Sequence, residues 1–143
     1  KMHPYLNYDG HREEAFNFYK SILGGEFMGG IHRMSEMPEM PGFSLSESDR
    51  NRVMHIALAL NEHTVLMASD TMPGMGDSFS PGNNVQLSLH PSSREEADRL
   101  FKGLSAGGKV EMPLEDTFWG AYFGSFVDKF GIHWLINYEK AAQ

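Results

Sequence analysis

Three residues of this chain have side chains suited to acid–base catalysis: His55, Asp70 and Asp128. Imidazole exchanges a proton near neutral pH, and a carboxylate next to a ligand can act as a general base. Both aspartates also stand just before a turn, where the ordinary use of an aspartate is an Asx-type hydrogen bond to the main chain. For His55 the alternative is a buried, hydrogen-bonded structural role. The sequence leaves both interpretations open for each residue.

A second set of residues could bind a small organic ligand, because it combines hydrogen-bonding groups with aromatic rings. Its members are His3, Tyr5, Asn7, His55, Gln86, Trp119 and Trp134. For the polar members the alternative is exposure to water on the outer side of a sheet. For the two tryptophans the alternative is a place in the core.

The composition excludes several kinds of site. The chain has no cysteine, which rules out disulfides, thiolate zinc sites, iron–sulfur clusters and a cysteine nucleophile. Lys and Arg number 12 against 19 Asp and Glu, and a formal net charge of -7 argues against a nucleic-acid partner. Because no apolar run approaches about 18 residues and no leader is visible, we expect a cytoplasmic protein without a membrane partner.

An internal repeat organises the chain. The tetrapeptide Arg-Glu-Glu-Ala at residues 12–15 recurs at residues 94–97, and similar segments flank both copies. We interpret this as a duplication. The 143 residues then form a single domain made of two modules, about 1–70 and 84–143, joined by a linker at 71–83.

Each module predicts the order strand–helix–strand–strand–strand. Apolar residues at helical spacing, closed by a glycine pair, predict one helix per module. The stripes are Ala15, Phe18, Tyr19 and Ile22, and Ala97, Leu100, Phe101 and Leu104. Strands are predicted at 5–8, about 26–34, 53–60, 64–69, 85–90, 109–112, 122–128 and 133–138, with hairpin turns at 61–63 and 129–131.

Residues 35–52 and 71–84 fit no helix or strand. The first segment contains Met37 and Met40 and follows Met34, and methionine adapts to varied shapes. We expect either a pliable lid over a ligand or a disordered loop.

Alternation along the strands sorts their side chains into two faces. Large apolar side chains must pack on the helix, so the smaller and polar residues are predicted on the opposite side. That side carries His3, Tyr5 and Asn7 on the first strand, His55 with Ala57 and Ala59 on a later one, and Gln86, Ser88 and His90 in the second module. If the sheet curls, these residues line a cleft for a small molecule.

Several segments resemble the PhnB-like family, which is also described as a 3-demethylubiquinone-9 3-methyltransferase domain. They include Pro4–Asn7, Ser69–Gly74, Asp116–Trp119 and Asp128–Gly131 with Trp134. The family belongs to the glyoxalase, bleomycin-resistance or vicinal-oxygen-chelate superfamily. The resemblance implies an α+β fold in which duplicated βαβββ modules form a curled mixed sheet around a cleft, and it implies a homodimer.

The superfamily's chemistry relies on a divalent metal held by His or Glu side chains on the first, fourth, fifth and eighth strands. The matching positions here fall on His3, Met67, about Asn84, and Leu135. Only His3 offers the imidazole or carboxylate that such metals prefer. We therefore expect no resident metal or other cofactor. The alternative is a displaced metal site.

The residues and the resemblance together predict a metal-independent protein that binds a small organic ligand. The first alternative is a lyase or oxygenase that uses a displaced metal or acid–base chemistry, and the second is an interaction subunit without a ligand. We do not expect methyltransferase activity, because Gly24-Gly25 follows a helix and no glycine-rich turn opens one.

Overall fold

The computed structural model describes residues 1–29, 32–33, 52–71 and 79–139. The chain divides into two compact units, unit 1 (Lys1–Ser80) and unit 2 (Pro81–Gln143). The division falls inside the segment 71–83 that we interpreted as a linker. The proposed lid residues Met34, Met37 and Met40 lie outside the described part of the chain.

Unit 1 packs one helix against a mixed sheet. Its elements are β1 (Tyr5–Tyr8), α1 (Arg12–Leu23), β2 (Glu26–Phe27), β3 (His32–Arg33), β4 (Val53–Ala59) and β5 (Val65–Asp70). The strand order is β1-β5-β4-β2, and β3 also pairs with β4. Strand β1 runs parallel to β5, and the other pairs are antiparallel. The strand expected at 26–34 is thus two short strands, separated by a segment with Gly29 at a φ of 71°.

Unit 2 repeats this arrangement. Its elements are β6 (Leu87–Leu89), α2 (Arg94–Ser105), β7 (Lys109–Asp116), β8 (Ala121–Val127) and β9 (His133–Glu139), with the strand order β6-β9-β8-β7. As in unit 1, the first strand is parallel to the last one and the remaining pairs are antiparallel. The predicted α+β fold with duplicated βαβββ modules is therefore confirmed, with one mixed sheet in each unit.

Strand β7 is longer than predicted and reaches Asp116. The predicted strand ended at Met112, whereas the observed one includes Pro113, which cannot donate to a β-ladder. The strand tolerates the proline because its register with β8 shifts on both sides of Met112. Such irregularity is typical of an edge strand.

The core of unit 1 corrects the predicted helix stripe. The buried residues of α1 are Arg12, Ala15, Phe16 and Tyr19, whereas Phe18 and Ile22 are only half-buried. The spacing is still i, i+3, i+4, i+7, but it begins one turn earlier, at a charged residue. The stripe packs on Ile56, Leu58, Leu66 and Ala68 of the sheet, all of which are at most 2% exposed.

The two helices begin in different ways. Helix α2 has Ser93 as its N-cap, whose side chain accepts from the Glu96 N–H, while the Glu96 carboxylate accepts from the N–H and hydroxyl of Ser92. These reciprocal hydrogen bonds resemble a capping box. Helix α1 has no such cap at His11. There Oδ1 of Asp70, at the end of β5, accepts the N–H groups of Gly10 and Arg12, both at 3.0 Å.

The core of unit 2 is built around Trp134, Phe126 and Leu104, each at most 1% exposed. Phe101 of α2 packs edge-on against Phe126 at 5.1 Å between ring centroids. Gly124 makes this approach possible, because a Cβ there would lie 2.7 Å from the Phe101 ring. The side of the sheet that carries Phe126 and Trp134 therefore faces α2.

Candidate functional site

Each sheet has one face against its helix and one face turned away from it, which we call the distal face. In unit 1, alternation places Ile56, Leu58, Leu66 and Ala68 against α1, and all four are buried. Their strand neighbours, including His55 and Met67, therefore lie on the distal face. The sequence predicted this orientation of His55. The cleft that we expected along these faces stays a prediction.

The distal face of unit 1 carries a contact between Tyr5 and His55. The two rings stack at 5.8 Å between centroids with an interplanar angle of 28°. The Tyr5 hydroxyl lies 3.3 Å from Nδ1 of His55. Since β5 separates β1 from β4, the two side chains meet across that strand. Tyr5 remains 48% exposed, so an aromatic surface with two hydrogen-bonding groups is accessible.

Other predicted ligand-binding residues lie on the same strands. Asn7 is directly opposite Ser69, and the Ser69 hydroxyl lies 3.5 Å from Oδ1 of Asn7. Tyr5 is opposite Met67, which also pairs with Ala57 of β4. His3 precedes β1, and its Nδ1 accepts the Val65 N–H at 3.1 Å. The distal face of unit 1 thus has polar and aromatic side chains around the apolar Met67, namely Tyr5, His55, Asn7 and Ser69.

The predicted residues of unit 2 are more scattered. Gln86 is exposed just before β6, and Ser88 hydrogen-bonds His90 at 2.8 Å on the same side of the strand. Trp119 lies in the β7–β8 connection, is 59% exposed and contacts Phe123. Trp134 lies on the α2 side of the sheet at 1% exposure and donates from Nε1 to Asp128 at 2.8 Å. Its ring therefore belongs to the core, apart from the distal face.

Asp70 and Asp128 are both 3% exposed, and both accept hydrogen bonds from the main chain. Asp70 holds the start of α1, as described above. Oδ1 of Asp128 accepts from the N–H groups of Phe130 at 2.8 Å and Ile132 at 3.1 Å, which closes the β8–β9 turn. The Asp128 contacts match the turn interpretation. The contacts of Asp70 reach the start of α1 instead, so the turn interpretation of Asp70 stays a prediction. A catalytic use of either residue stays a prediction.

Sequence reasoning missed Arg12, which is completely buried. Its guanidinium lies over the rings of Tyr8 and Phe16, 4.5 and 5.0 Å from their centroids, and Nη2 donates to the Leu6 carbonyl. Burial lowers its pKa to about 10, and the nearby Tyr8 and Asp70 oppose that shift. Nε and Nη1 have no hydrogen-bond partner in the described part of the chain. The available signal was its place one turn before Phe16 and Ala15 on the buried stripe.

The residues at the superfamily's metal positions do not fit a metal. Met67 lies on the distal face between Tyr5 and Ala57, and Leu135 has the equivalent place in unit 2, between Ser88 and Ser125. Neither side chain offers an oxygen or an imidazole nitrogen. Asn84 is exposed and precedes β6 outside any strand. Among the described residues, no group of three or more His, Asp or Glu side chains could hold a metal ion.

Known proteins resemble this chain in sequence and in fold. The family described as 3-demethylubiquinone-9 3-methyltransferase matches residues 1–137. The chain belongs to this PhnB-like family. The structure of protein PA1353 from Pseudomonas aeruginosa is 35% identical, with a TM-score of 0.84, and the match covers 99% of this chain and 98% of that one.

Two further structures extend the comparison. A putative 3-demethylubiquinone-9 3-methyltransferase, PhnB protein, from Bacillus cereus is 28% identical over 96% of this chain and 98% of that one, with a TM-score of 0.77. A glyoxalase/bleomycin resistance protein/dioxygenase family enzyme from Burkholderia phytofirmans PsJN is 16% identical over 95% and 97%, with a TM-score of 0.60. The second likeness shows the glyoxalase-type fold alone. Within the described residues of the PhnB-like chain, no helix is long and apolar enough to span a membrane.

Proposed function

We propose that this PhnB-like protein binds a small organic ligand without a metal, on the distal face of unit 1. The observation that carries the proposal is the stacked Tyr5–His55 pair, with its half-exposed phenol ring. A phenol and an imidazole side by side offer one flat apolar surface and two groups that can donate or accept a hydrogen bond. The ligand class that suits this surface is a flat aromatic or quinone-like molecule with polar substituents.

The apolar centre of the face supports binding by contact. Met67 lies between Tyr5 and Ala57, so the side chain beneath a bound ligand is a deformable thioether rather than a metal ligand. Asn7 and Ser69 at the next register position supply further polar groups at the edge. The methyltransferase activity named in the family's description has no support in these residues. A typical methyl-donor site needs a glycine-rich turn between a strand and a helix, whereas Gly24 and Gly25 follow α1.

The test is a thermal-shift screen with catechol, 2,3-dimethoxy-5-methylbenzoquinone and phenylphosphonate. Binding to the native state must raise its stability. We expect at least one compound to raise Tm for the wild type, with the shift lost in Tyr5→Ala and His55→Ala. His63→Ala is the matched control, since His63 is an exposed histidine in the β4–β5 turn. No stabilisation by any of the three classes, or equal stabilisation of all variants, would count against the proposal.

A second candidate function, acid–base catalysis of a lyase reaction, is favoured by one contact. The 3.3 Å separation of the Tyr5 hydroxyl and His55 Nδ1 would let the two groups pass a proton. The variant that separates this candidate from plain binding is Tyr5→Phe, which keeps the ring and removes the hydroxyl. Conversion of a bound compound by the wild type, but not by Tyr5→Phe, would support catalysis.

We also propose that the protein is a homodimer, as the family resemblance implies. Native mass spectrometry of untagged protein measures this directly. The same spectrum would show any metal or co-purified ligand as added mass. A monomeric mass at micromolar concentration would refute the dimer, and a stoichiometric metal would refute metal-independent binding.

A further inference from the structure

The connection between β7 and β8 holds two large aromatic side chains out into solvent. Phe118 is 97% exposed and Trp119 is 59% exposed. Their ring centroids are 5.0 Å apart at an interplanar angle of 89°, and Trp119 lies 6.4 Å from Phe123 at 62°. We call Phe118, Trp119 and Phe123 the aromatic corner. Steep angles between neighbouring rings leave ring faces open rather than stacked on one another.

The loop that carries the aromatic corner is fixed by several contacts. The Thr117 hydroxyl donates to the Ala121 carbonyl at 2.9 Å and accepts the Ala121 N–H at 3.1 Å. Gly120 takes a φ of 90°, which favours glycine. Asp116, at the start of the loop, accepts two hydrogen bonds from the Arg94 guanidinium at 3.0 and 2.9 Å. The two exposed rings therefore project from a well-anchored turn rather than from a loose loop.

Carboxylates lie beside the aromatic corner on the same side of the sheet. Glu115 of β7 is directly opposite Phe123 in the register, and Glu139 of β9 is opposite Ala121, two residues before Phe123. Both glutamates are exposed, and neither makes an ion pair with another described residue. Among the described residues, the basic ones on the strands of this face are Lys109 and His133, both opposite Val127 at the far end of β8. The ring cluster thus has a negative border.

We propose that the aromatic corner and Glu115 form a binding site for an alkylated ammonium group. Ring faces attract a cation through their quadrupole, and methyl groups on the nitrogen add apolar contact that a bare ammonium lacks. The adjacent carboxylate and the formal net charge of -7 favour a cation over a neutral or anionic ligand. All of these residues belong to unit 2, so the proposal does not depend on a ligand at Tyr5 and His55.

The probe that tests the proposal is choline, with 3,3-dimethylbutan-1-ol as its neutral isostere. The chain has two tryptophans, and Trp134 is 1% exposed, so ligand-dependent fluorescence reports mainly on Trp119. We expect choline to change the fluorescence along a saturating curve, and we expect the neutral alcohol to bind at least about fivefold more weakly. Equal binding of the two compounds, or no saturable change, would overturn the proposal.

Variants then locate the site by calorimetry, which does not need the tryptophan. Phe118→Ala should weaken choline binding about two- to fivefold, and Trp119→Ala should weaken it further, since tryptophan is the best cation–π partner. Glu115→Gln should weaken binding about threefold at low salt, and the loss should shrink at high salt. Glu95→Gln is the matched control, because it removes one exposed carboxylate from α2. An equal effect of the two glutamine variants would reduce the result to net charge and overturn the site.

The main competing occupant is a second copy of this chain. Size-exclusion chromatography of Phe118→Ala and Trp119→Ala distinguishes the two cases. If either variant converts a dimer to a monomer, the aromatic corner is a subunit interface and the ligand proposal is wrong. An unchanged elution volume together with weaker choline binding supports the proposal. Because Phe118 is almost fully exposed, its replacement leaves the fold intact, and circular dichroism checks this.

Discussion

Asp70 joins the end of β5 to the start of α1, and its removal should destabilise unit 1 strongly. Its carboxylate is 3% exposed and accepts the N–H groups of Gly10 and Arg12. A hydrogen bond to a charged group contributes about 1.5–3 kcal/mol, and an orphaned buried donor costs about 1–3 kcal/mol. Asp70→Ala also leaves the buried Arg12 guanidinium without a carboxylate that favours its charge. We expect a loss of about 4 kcal/mol in the free energy of unfolding.

Asp70→Asn separates the two contributions. The amide oxygen can still accept both N–H groups, so only the charge is lost, and we expect a cost of about 1–2 kcal/mol. The surface control is Asp9→Ala, which removes the 2.8 Å ion pair between Asp9 and Arg52 one residue from Gly10. Its carboxylate is 51% exposed, so the cost should stay below about 1 kcal/mol.

Urea titration of the three variants, followed by circular dichroism, measures these differences. The m value, which is the dependence of the free energy of unfolding on urea concentration, is compared between the variants. The loss of about 4 kcal/mol expected for Asp70→Ala is a large part of the free energy of unfolding of a typical domain, which is about 5–15 kcal/mol. If Asp70→Ala unfolds at the same urea concentration as Asp9→Ala, the carboxylate does not anchor the helix. If Asp70→Asn is as unstable as Asp70→Ala, the charge rather than the hydrogen bonds carries the effect, and our division of the energy is wrong.

Substitutions at two further residues, Arg12 and Asp128, test the buried charges. Arg12→Met removes the charge but keeps most of the side-chain volume, so it should change the free energy of unfolding by no more than about 1 kcal/mol. Arg12→Ala leaves a cavity between Tyr8 and Phe16 and should cost about 3 kcal/mol, as measured by urea titration. Because burial lowers the Arg12 pKa to about 10, the energetic cost of burying its charge is present in full below that pH and declines as the pH rises above it. The wild type should therefore become more stable relative to Arg12→Met as the pH rises above about 10, and a stability difference that does not change with pH would contradict this. Asp128→Ala should lower the free energy of unfolding by about 3 kcal/mol, measured by thermal unfolding, because the β8–β9 turn and the Trp134 indole both donate to that carboxylate. Asp128→Asn keeps an acceptor oxygen and should lose clearly less stability. Equal losses in the two variants would contradict the role of Asp128 as an acceptor.

Local patterns in the sequence were enough to predict the modules and most of their strands. Strand β1 has the predicted bounds, and the helix that begins at Arg94 ends before Gly107 as expected. The pairing of β1 with β5 was beyond local reasoning, because it joins segments about sixty residues apart. The Tyr5–His55 contact depends on that pairing. Alternation could place each residue on the distal face, but it could not bring the two together.

The repeated Arg-Glu-Glu-Ala segment shows why environment cannot be read from a motif. Arg12 and Arg94 begin the two helices at equivalent positions. Arg12 is buried over aromatic rings, whereas Arg94 is exposed and pairs with Asp116, whose hydrogen bonds raise the Arg94 pKa. The difference comes from the side chains around each guanidinium, which are the buried rings of Tyr8 and Phe16 for Arg12 and the exposed carboxylate of Asp116 for Arg94. Identical residues thus acquire different roles through tertiary neighbours that the repeat does not share.

Because the topology is duplicated, the residues at the centres of the two distal faces occupy equivalent structural positions. Met67 and Leu135 occupy equivalent places, each on the last strand of its unit and each flanked by the first strand and the preceding hairpin strand. A metal site requires donor atoms at such positions, and both units have an apolar side chain there instead. A single apolar residue would weaken a metal site, and apolar residues at both equivalent positions support the proposed metal-independent binding. Ligand selectivity would then depend on the flanking groups, which differ: Tyr5 and Ala57 in unit 1, and two serines in unit 2.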